Sequence, residues 1–475
     1  MRIVTPQRMR EIEGCAINAL GIDGLLLMER AALCLAQEIR KEQPARVLCV
    51  CGLGNNGGDA WACARMLHLW GIKTEILPLA PVEALKGDAL KNARICENLG
   101  IQQVSMDALG GDYDVVVDGI FGTGLSRAPE GVFAEAIKGI NASKAKVFAV
   151  DIPSGVDGET GQVLSCAVKA DVTVTFQWAK YGHYLYPAPE YVGRLVIADI
   201  GIPEPRESFD ACILTEEEAE MLKPVRERNA YKNQFGHALL CAGSRGMAGA
   251  AILASTACMR AGAGLLTVAT DEAHVMPHIQ SCVPAAMCMS AQHLKDALPG
   301  KTAVGFGPGI GRTETGARLL EEVLCCGLPA VVDADGLWHL ANAQDLMHGR
   351  KTTVLTPHMG EMARLLGRAV TDPVKDAQDY AAQHSCVVLL KGACTVIAAP
   401  DGRLAFNVIG TQGMATAGSG DTLTGIILAL LAQGLDGFDA ARLGAYLHAQ
   451  AGLRAEMQYG TASMTAQDMA QSVRL

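Results

Sequence analysis

The sequence predicts an α/β protein made of doubly wound parallel sheets. Short runs of Val, Ile and Leu alternate along the chain with segments of helical length, which is the pattern of parallel strands joined by helices. Half of the 475 residues are hydrophobic and 52 are glycine, a composition typical of compact folds with many tight turns. Because the chain is too long for one ordinary core, we expect two or three domains.

The first half contains five predicted strands whose apolar runs end near glycine or aspartate. They cover residues 46–51, 74–79, 113–118, 146–151 and 171–176. Predicted helices lie between most of them, at residues 59–70, 87–99 and 132–140. This alternation predicts a parallel sheet with helices on both faces.

A break in the pattern separates the two halves. Residues 201–206 are rich in proline and charge, a short acidic helix is predicted at 215–222, and residues 223–228 are typical of a linker. We therefore expect one domain at residues 1–214 and another at residues 215–475.

The second half predicts a second doubly wound sheet. Its predicted strands cover residues 237–242, 265–269, 302–306, 330–333, 353–355, 386–390 and 395–398. Its predicted helices include residues 250–261, 314–325, 360–366, 421–433 and 439–456.

Composition and charge argue against several classes of protein, namely nucleic-acid-binding, secreted and membrane proteins. The formal net charge of −10 argues against a general affinity for nucleic acid, which requires clustered Lys and Arg. The N-terminus has no apolar signal region, and the most apolar helix, at 425–435, is too short to cross a bilayer. None of the 16 cysteines forms a CxxC pair, so we interpret them as reduced. We expect a cytoplasmic homo-oligomer that binds neither nucleic acid nor membranes.

The first predicted strand runs into the string GLGNNGGD at residues 52–59. Glycines at the start of a helix let backbone amides approach an anionic ligand. Any tight turn uses glycine as well, so the glycines alone do not distinguish a ligand loop from a plain turn. Asn55, Asn56 and Asp59 add amide and carboxylate groups that a turn does not require, which favours a binding site.

Two other strands of the first half end in polar groups. Residues 118–127 read DGIFGTGLSR, and residues 151–155 read DIPSG. The carboxyl ends of parallel strands gather on one edge of a sheet, where ligands bind. Asp118 and Asp151 could each be a helix cap or a buried hydrogen-bond partner, but beside these loops they favour a site.

These three strings resemble the N-terminal domain of the YjeF-type proteins, the NAD(P)H-hydrate epimerases, over about residues 5–210. The resemblance implies a Rossmann-like three-layer domain that binds hydrated NADH or NADPH, written NAD(P)HX. It implies potassium at Asn56, Asp118 and Ser154, with Asp151 as the candidate acid–base catalyst. The implied substrate contacts are Asn55, Asn56, Gly57, Gly58, Asp59, Gly122, Thr123, Gly124, Leu125, Ser126, Arg127, Ala128 and Asp151. Ala60 departs from the family, which has glycine there, and a methyl group is tolerated if residue 60 is helical.

The most distinctive string of the second half is GMATAGSGD at residues 413–421, which precedes an apolar helix. Backbone amides of Gly418, Ser419 and Gly420 at the helix start would form an anion hole. Asp421 is also favourable against the helix dipole, so its presence alone does not require catalysis. The run of small residues before it has no such structural explanation and favours a phosphoryl-transfer site.

The GMATAGSGD string resembles the ribokinase-like fold, in which an aspartate after the anion hole deprotonates the substrate hydroxyl. Together with GSRGMAGAA, GPGIG, TPHMGE and KGACT, it is similar to the ADP-dependent NAD(P)H-hydrate dehydratases over about residues 225–475. The resemblance implies that His358 and Asp421 contact the hydrated nicotinamide, with Ala257 and Gly309 lining the same cleft. The implied ADP contacts are Lys391, Gly392, Ala393, Cys394, Thr395 and Gly420.

Three further features concern metals. Glu361 lies where related kinases place a magnesium-organising glutamate. Asp333 and Asp335 follow a strand and either orient magnesium or cap the next helix. His274 and His278 are four residues apart, but no third ligand is near, which favours an ordinary surface pair.

Together the resemblances imply a bifunctional repair enzyme. It would epimerise (R)- and (S)-NAD(P)HX and dehydrate the (S) form with ADP and magnesium, releasing AMP and phosphate. Two alternatives remain open. The second half could be a ribokinase-type vitamin kinase, and the first half a non-catalytic Rossmann-like binding module.

Overall fold

The structure, a computed structural model, describes residues 1–125, 127–205, 211–347 and 352–475. The chain forms two compact units. The N-terminal unit covers Arg2–Asp210, and the C-terminal unit covers Ala211–Leu475 together with Met1. No helix within the described ranges is both long and apolar enough to cross a membrane. All 16 cysteines are free thiols.

The N-terminal unit alternates strands and helices. Its strands are β1 (Arg2–Val4), β2 (Arg46–Cys51), β3 (Lys73–Pro78), β4 (Gln102–Gln103), β5 (Val115–Gly119), β6 (Lys146–Val150), β7 (Val172–Phe176), β8 (Ala179–Lys180) and β9 (Arg194–Ala198). Its α-helices are α1 (Pro6–Asn18), α2 (Gly24–Arg40), α3 (Asn55–Leu69), α4 (Gly87–Asn98), α5 (Val132–Ala142) and α6 (Pro189–Val192). Short 3-10 helices cover Val82–Ala84, Met106–Gly110 and Tyr181–His183.

Seven of these strands form one parallel sheet in the order β4-β3-β2-β5-β6-β7-β9. Successive side chains of a strand point to opposite faces, and both faces of β2 are buried. Val47 and Cys49 pack with α2 and α3, whereas Leu48 and Val50 pack with α5. The result is a helix–sheet–helix sandwich, which explains why the strands are almost continuously apolar. The predicted three-layer arrangement is confirmed.

The C-terminal unit has the same alternation. Its strands are β10 (Ala211–Ile213), β11 (His237–Cys241), β12 (Leu265–Thr270), β13 (Met287–Ser290), β14 (Ala303–Phe306), β15 (Ala330–Val332), β16 (Thr353–Leu355), β17 (Val387–Leu390), β18 (Thr395–Ala398) and β19 (Leu404–Asn407). Its α-helices are α7 (Glu216–Leu222), α8 (Ala248–Arg260), α9 (Met276–Cys282), α10 (Leu294–Ala297), α11 (Glu314–Cys325), α12 (Asp335–Leu340), α13 (Met359–Leu366), α14 (Pro373–His384), α15 (Ser419–Ala432), α16 (Gly437–Tyr459) and α17 (Ala466–Ser472). Short 3-10 helices cover Lys232–Phe235, Ala273–Val275, Ala291–His293, Gln344–Met347 and Gln412–Met414.

Within this unit the strands lie in the order β13-β12-β11-β14-β15-β16-β17-β18-β19-β10. Neighbouring strands from β13 to β17 are parallel, whereas β18 is antiparallel to both β17 and β19. The antiparallel end corrects the expectation of a purely parallel arrangement. The four residues between β17 and β18 leave no room for a helical crossover, so the chain must turn back directly. Helix α15 is buried along most of its length and packs against α8.

Candidate active sites

A cavity of about 570 Å³ opens at the carboxyl edge of the N-terminal sheet. Strands β2 and β5 are neighbours there, and the strand order changes direction between them, which is where open α/β sheets bind ligands. The loops after both strands contribute lining residues. Of the predicted substrate contacts, those that line the cavity are Asn55, Asn56, Asp59, Gly122, Thr123, Gly124, Leu125, Arg127 and Asp151.

Three predicted contacts are placed differently. Gly57 and Gly58 are buried in α3 behind the cavity, and Ala128 is exposed without lining it. Ser126 lies outside the described residues. Direct contact of these four residues with substrate stays a prediction.

Gly57 in the first loop and Gly119 at the end of β5 are required by close packing. A Cβ atom added at Gly57 would lie 2.1 Å from the carbonyl oxygen of Gly52, and one at Gly119 would lie 2.4 Å from the Cβ of Ala60. Helix α3 begins at Asn55, four residues earlier than predicted, so residue 60 is helical. Its methyl group occupies the space that Gly119 leaves open, which accounts for the departure at this position.

The three residues predicted to bind potassium lie together around the backbone of Phe121. The Asn56 side-chain amide donates to the Phe121 carbonyl at 3.0 Å, and the Phe121 amide donates to Ser154 Oγ at 2.8 Å. Ser154 Oγ in turn donates to Asp118 Oδ1 at 2.6 Å, and the Ser154 amide donates to Asp118 Oδ2 at 2.8 Å. The acceptors in this arrangement are all oxygen atoms, of the kind that hard cations prefer as ligands.

Asp118 is fully buried, and no cationic group among the described residues pairs with it. Burial raises the pKa of its carboxyl to about 6, although hydrogen bonds from Ser154 and Ile120 oppose the rise. A buried carboxylate without a counter-charge is costly. This carboxyl therefore fits a bound monovalent cation better than it fits a helix cap.

Asp151 has a different environment, which depends on a residue that sequence reasoning missed. Lys180 Nζ lies 2.6 Å from Asp151 Oδ1, and Thr175 Oγ1 donates to the same oxygen at 2.8 Å. Burial raises the pKa of Asp151, but the charge and hydrogen bond of Lys180 outweigh it and hold the pKa below its ordinary value. Asp151 is therefore ionised at the cavity wall.

Two other carboxyl groups line the same cavity. Burial, reinforced by the negative charge of Asp151, raises the pKa of Asp59 well above its ordinary value. Burial also raises the pKa of Glu13, which belongs to α1 and was missed at the sequence level. The cavity therefore combines one carboxyl whose pKa lies below its ordinary value with two whose pKa values lie above theirs. Such a division of pKa values is typical of acid–base sites.

In the C-terminal unit, charged groups gather at the ends of β15, β16 and β17. Lys391 Nζ lies 2.7 Å from Asp333 Oδ1 and 3.7 Å from Glu361 Oε2. Thr424 Oγ1 donates to the other oxygen of Asp333 at 2.7 Å. A Cβ atom added at Gly420 would lie 3.3 Å from Lys391 Nζ, so these two predicted ADP contacts are neighbours.

His358 lies beside Lys391, since residues 358 and 391 form a parallel bridge. Its side chain is 60% exposed, which rules out the buried structural histidine considered from sequence. His358 Nδ1 accepts from the amide of Gly360 at 2.9 Å, and Glu361 Oε2 accepts from the amide of His358 at 2.8 Å. This capping box fixes both side chains at the start of α13.

Asp421 lies in the first turn of α15, after Gly418 at φ +90°. Burial and the neighbouring carboxylate of Asp333 raise the pKa of Asp421 to about 7, although Lys391 opposes the rise. A base with this pKa gains and loses its proton near neutral pH. Ser419 Oγ lies 3.2 Å from Nε2 of His448, a buried histidine that was missed at the sequence level.

The other predicted substrate and ADP contacts of the C-terminal unit lie in several separate elements. Gly309 is packed against Met247 just before α8, and Ala257 is fully buried within α8. Ala257 has no exposed surface, so its direct contact with substrate stays a prediction. After β17, Gly392 and Ala393 are exposed, whereas Cys394 and Thr395, the first residue of β18, are partly buried.

The sequence left open whether Asp333 and Asp335 orient magnesium or cap a helix, and the structure shows the hydrogen-bond partners of both. Asp333 binds Lys391 and Thr424, whereas Asp335 accepts from the Gly311 amide at 3.1 Å and from Arg312 Nε at 3.0 Å. Asp335 thus holds the GPGIG loop that follows β14. His274 and His278 are both exposed.

Two family models match the chain. The model described as "YjeF-related protein N-terminus" matches residues 24–182, and the model described as "NAD(P)H-hydrate dehydratase" matches residues 238–474. The first match lies within the N-terminal unit and the second within the C-terminal unit.

Similar proteins extend over the whole chain. A bifunctional NAD(P)H-hydrate repair enzyme from Moorella thermoacetica is 38% identical, covering 99% of this chain and 95% of that protein. The Escherichia coli protein of the same description is 34% identical, with 97% and 91% covered. A ribokinase-like superfamily protein from Enterococcus faecalis, of known structure, aligns with a TM-score of 0.51 and 26% identity over 57% of this chain and 96% of its own. The C-terminal unit is thus ribokinase-like, and the chain belongs to the family of bifunctional NAD(P)H-hydrate repair enzymes.

Proposed function

We propose that the chain repairs hydrated nicotinamide cofactors in two steps. Residues 1–214 would interconvert (R)- and (S)-NAD(P)HX, and residues 215–475 would use ADP to convert (S)-NAD(P)HX to NAD(P)H, AMP and phosphate. The observation that carries the proposal is that each sheet gathers acid–base groups and glycine loops at one carboxyl edge. The family relationship assigns the reaction class.

In the epimerase step, Asp151 is the base. Its carboxylate removes the proton of the ring hydroxyl, the bond from that carbon to the ring nitrogen breaks, and its electron pair goes to nitrogen. The neutral carboxyl of Asp59 gives the nitrogen a proton. Reclosure on the opposite face of the resulting aldehyde, with both proton transfers reversed, inverts the carbon.

Potassium would be held by oxygens of Asn56, Asp118, Ser154 and the Phe121 carbonyl. When bound, the ion would supply the positive charge that the buried Asp118 lacks. Because these residues tie the loop after β5 to the loop after β6, the ion would also fix one wall of the cavity. Epimerase activity should therefore depend on potassium, with the dependence weakened in Ser154→Ala.

In the dehydratase step, Asp421 takes the hydroxyl proton as the oxygen attacks the β-phosphorus of ADP, and AMP leaves. Amides of Ser419 and Gly420 would stabilise the transferring phosphoryl group at the start of α15. The ring nitrogen then expels phosphate, and loss of a proton from the adjacent carbon gives NAD(P)H. Lys391 lies next to Gly420, where its charge would offset that of the diphosphate.

Magnesium would be held by carboxylate oxygens of Glu361 and Asp333, which are hard donors suited to this ion. When bound, it would neutralise phosphate charge during transfer. Glu361 is preorganised for this role by its hydrogen bond to the His358 amide. A cytoplasmic location and assembly as a homo-oligomer stay predictions.

The experiment uses purified full-length protein, a mixture of both NADHX epimers, ADP, magnesium and potassium. We expect all of the hydrate to return to NADH, measured by absorbance, with AMP and phosphate formed in equal amounts. The Asp151→Asn variant should consume the (S) epimer and leave the (R) epimer. The Asp421→Asn variant should interconvert the epimers without forming NADH.

Other outcomes distinguish the alternatives. A phosphorylated vitamin made from ATP, with the phosphate retained on the product, would support a kinase instead. Binding of NADHX to the N-terminal unit without epimer interconversion would support a non-catalytic module.

A further inference from the structure

Lys180 is a buried lysine that the proposed chemistry does not use directly. Its side chain is only 2% exposed, although lysine is rarely buried without a specific partner. Its Nζ atom lies 2.6 Å from Asp151 Oδ1, 2.9 Å from Thr175 Oγ1 and 3.5 Å from the Phe176 carbonyl. The three donors of the ammonium group are thereby directed to three oxygens, which fixes the position of the charge.

The backbone of Asp151 is held as closely as its side chain. Asp151 has φ +63°, a left-handed conformation that is unfavourable for a residue other than glycine. Its amide donates to the Val174 carbonyl at 2.8 Å, and its own carbonyl lies 2.8 Å from His183 Nε2. His183 Nδ1 accepts from the Lys180 amide at 2.9 Å, so Nε2 carries the proton and donates to Asp151.

Lys180 and His183 therefore clamp one residue from two directions. The Lys180 side chain binds the carboxylate, and the Lys180 backbone orients the imidazole that binds the carbonyl. Asp151 still reaches the cavity, where its side chain is 14% exposed. Removing the proton of a substrate hydroxyl requires such a carboxylate in one orientation and in its ionised form.

We propose that Lys180 is a positioning residue of the epimerase site, which aims the Asp151 carboxylate into the cavity and keeps it ionised for proton abstraction. This inference rests on the proposed epimerase function. Lys180 acts through Asp151 and is not itself assigned a contact with substrate.

The charges around Asp151 explain why a cation is needed there. Lys180 and His183 contact it, and Glu13, Asp59 and Arg10 line the same cavity. Burial and the charge of Lys180 lower the pKa of His183 to about 4, so the imidazole is neutral. Glu13 and Asp59 compete with Asp151 for the negative charge, and Lys180 contacts only Asp151 among these three carboxyls. Lys180 makes the largest contribution that opposes the rise of the Asp151 pKa caused by burial.

The test measures epimerisation by the full-length protein as a function of pH. In Lys180→Met, which removes the charge but keeps a long side chain, kcat/KM at neutral pH should fall about 100-fold. The acid limb of the profile should move to higher pH by at least one unit. Lys180→Arg keeps the charge and should leave the acid limb near its wild-type position while lowering kcat. The dehydratase rate should be unchanged in both variants.

A matched control is the Arg46, Glu75 and Tyr113 cluster, a buried ion pair in the same unit that does not line the cavity. Glu75→Gln should leave the pH profile unchanged. Thr175→Val provides a milder probe, since it removes the Thr175 hydrogen bonds with Asp151 Oδ1 and Lys180 Nζ without changing any charge. We expect the acid limb of its pH profile to move to higher pH, by less than in Lys180→Met.

The outcomes distinguish the positioning role of Lys180 from the epimerase function on which it rests. If wild-type protein interconverts the epimers, Asp151→Asn does not, and neither Lys180→Met nor Thr175→Val moves the acid limb, the role of Lys180 is overturned while the epimerase function stands. If wild-type protein does not interconvert the epimers at all, the proposed function fails first. If Lys180→Met does not fold, the proposal is overturned when the acid limb of the pH profile of Thr175→Val stays at its wild-type position.

Discussion

The Lys391 ammonium lies 2.7 Å from a carboxylate oxygen of Asp333, a residue that is 1% exposed. Removing one partner of such a pair leaves an uncompensated charge in the interior. We expect Lys391→Met to lower the free energy of unfolding of the C-terminal unit by about 3–5 kcal/mol. Urea denaturation measures the change, and ADP binding by calorimetry should weaken in parallel.

The double variant Lys391→Met/Asp333→Asn serves as the control for this pair. It removes both charges, and the amide oxygen can still accept from Thr424 Oγ1. We expect the double variant to lose less stability than the two single variants added together, because the pair is directly coupled. Strict additivity would show that the contact does not contribute to stability.

The pKa of Asp421 predicts how the dehydratase responds to pH. Burial raises this pKa to about 7, so the carboxyl holds its proton below that pH and cannot accept one from substrate. We expect kcat/KM to rise with pH through about 7, and Asp421→Asn to lower the rate by about 100-fold or more. A pH-independent rate between 5 and 9 would contradict the assignment of Asp421 as the base.

The glycines of the first loop provide a matched pair of substitutions. A Cβ atom at Gly57 would lie 2.1 Å from the Gly52 carbonyl, whereas one at Gly54 would meet nothing within 4 Å. Because a shift of about 1 Å in a site costs roughly 100-fold in rate, we expect Gly57→Ala to lose epimerase activity to that extent. Gly54→Ala should stay close to wild type, since φ −92° suits alanine. Chromatographic separation of the two epimers measures both rates.

His448 makes the stability of the C-terminal unit sensitive to acid. Burial lowers the pKa of this histidine from 6.5 to about 4, so between these values the unfolded chain binds a proton that the folded protein does not. Stability contributed by the neutral imidazole is complete above pH 6.5 and is lost as the pH falls towards 4. The expected loss is about 3 kcal/mol.

The check is the unfolding free energy of wild type, His448→Gln and His274→Gln between pH 4 and 7. His448→Gln should flatten the curve by the amount that this histidine contributes. His274 is exposed, so its replacement should leave the slope unchanged. Equal slopes in all three proteins would contradict the prediction.

Local pattern predicted much of the fold. Strand β2 has the bounds expected from sequence, because its apolar run stops at a glycine where the chain must turn. Strand β9 was missed although Leu195 to Ala198 form a continuous apolar run, and its side chains are mostly half exposed. Helices α1 and α2 were also missed, although Glu13 and Met28 from them line the N-terminal cavity.

The sequence by itself determined the two sheets, the glycine loops and the acidic residues at the strand ends. Such features follow from local periodicity and from turn chemistry, which neighbouring residues encode. Only the tertiary structure decided which charged group lies beside each carboxylate. Lys180 and Asp151 are 29 residues apart and Lys391 and Asp333 are 58 apart, so no local pattern links them. Because proton affinity depends on burial and on those distant partners, folding alone gave Asp118, Asp151 and Asp421 different pKa values.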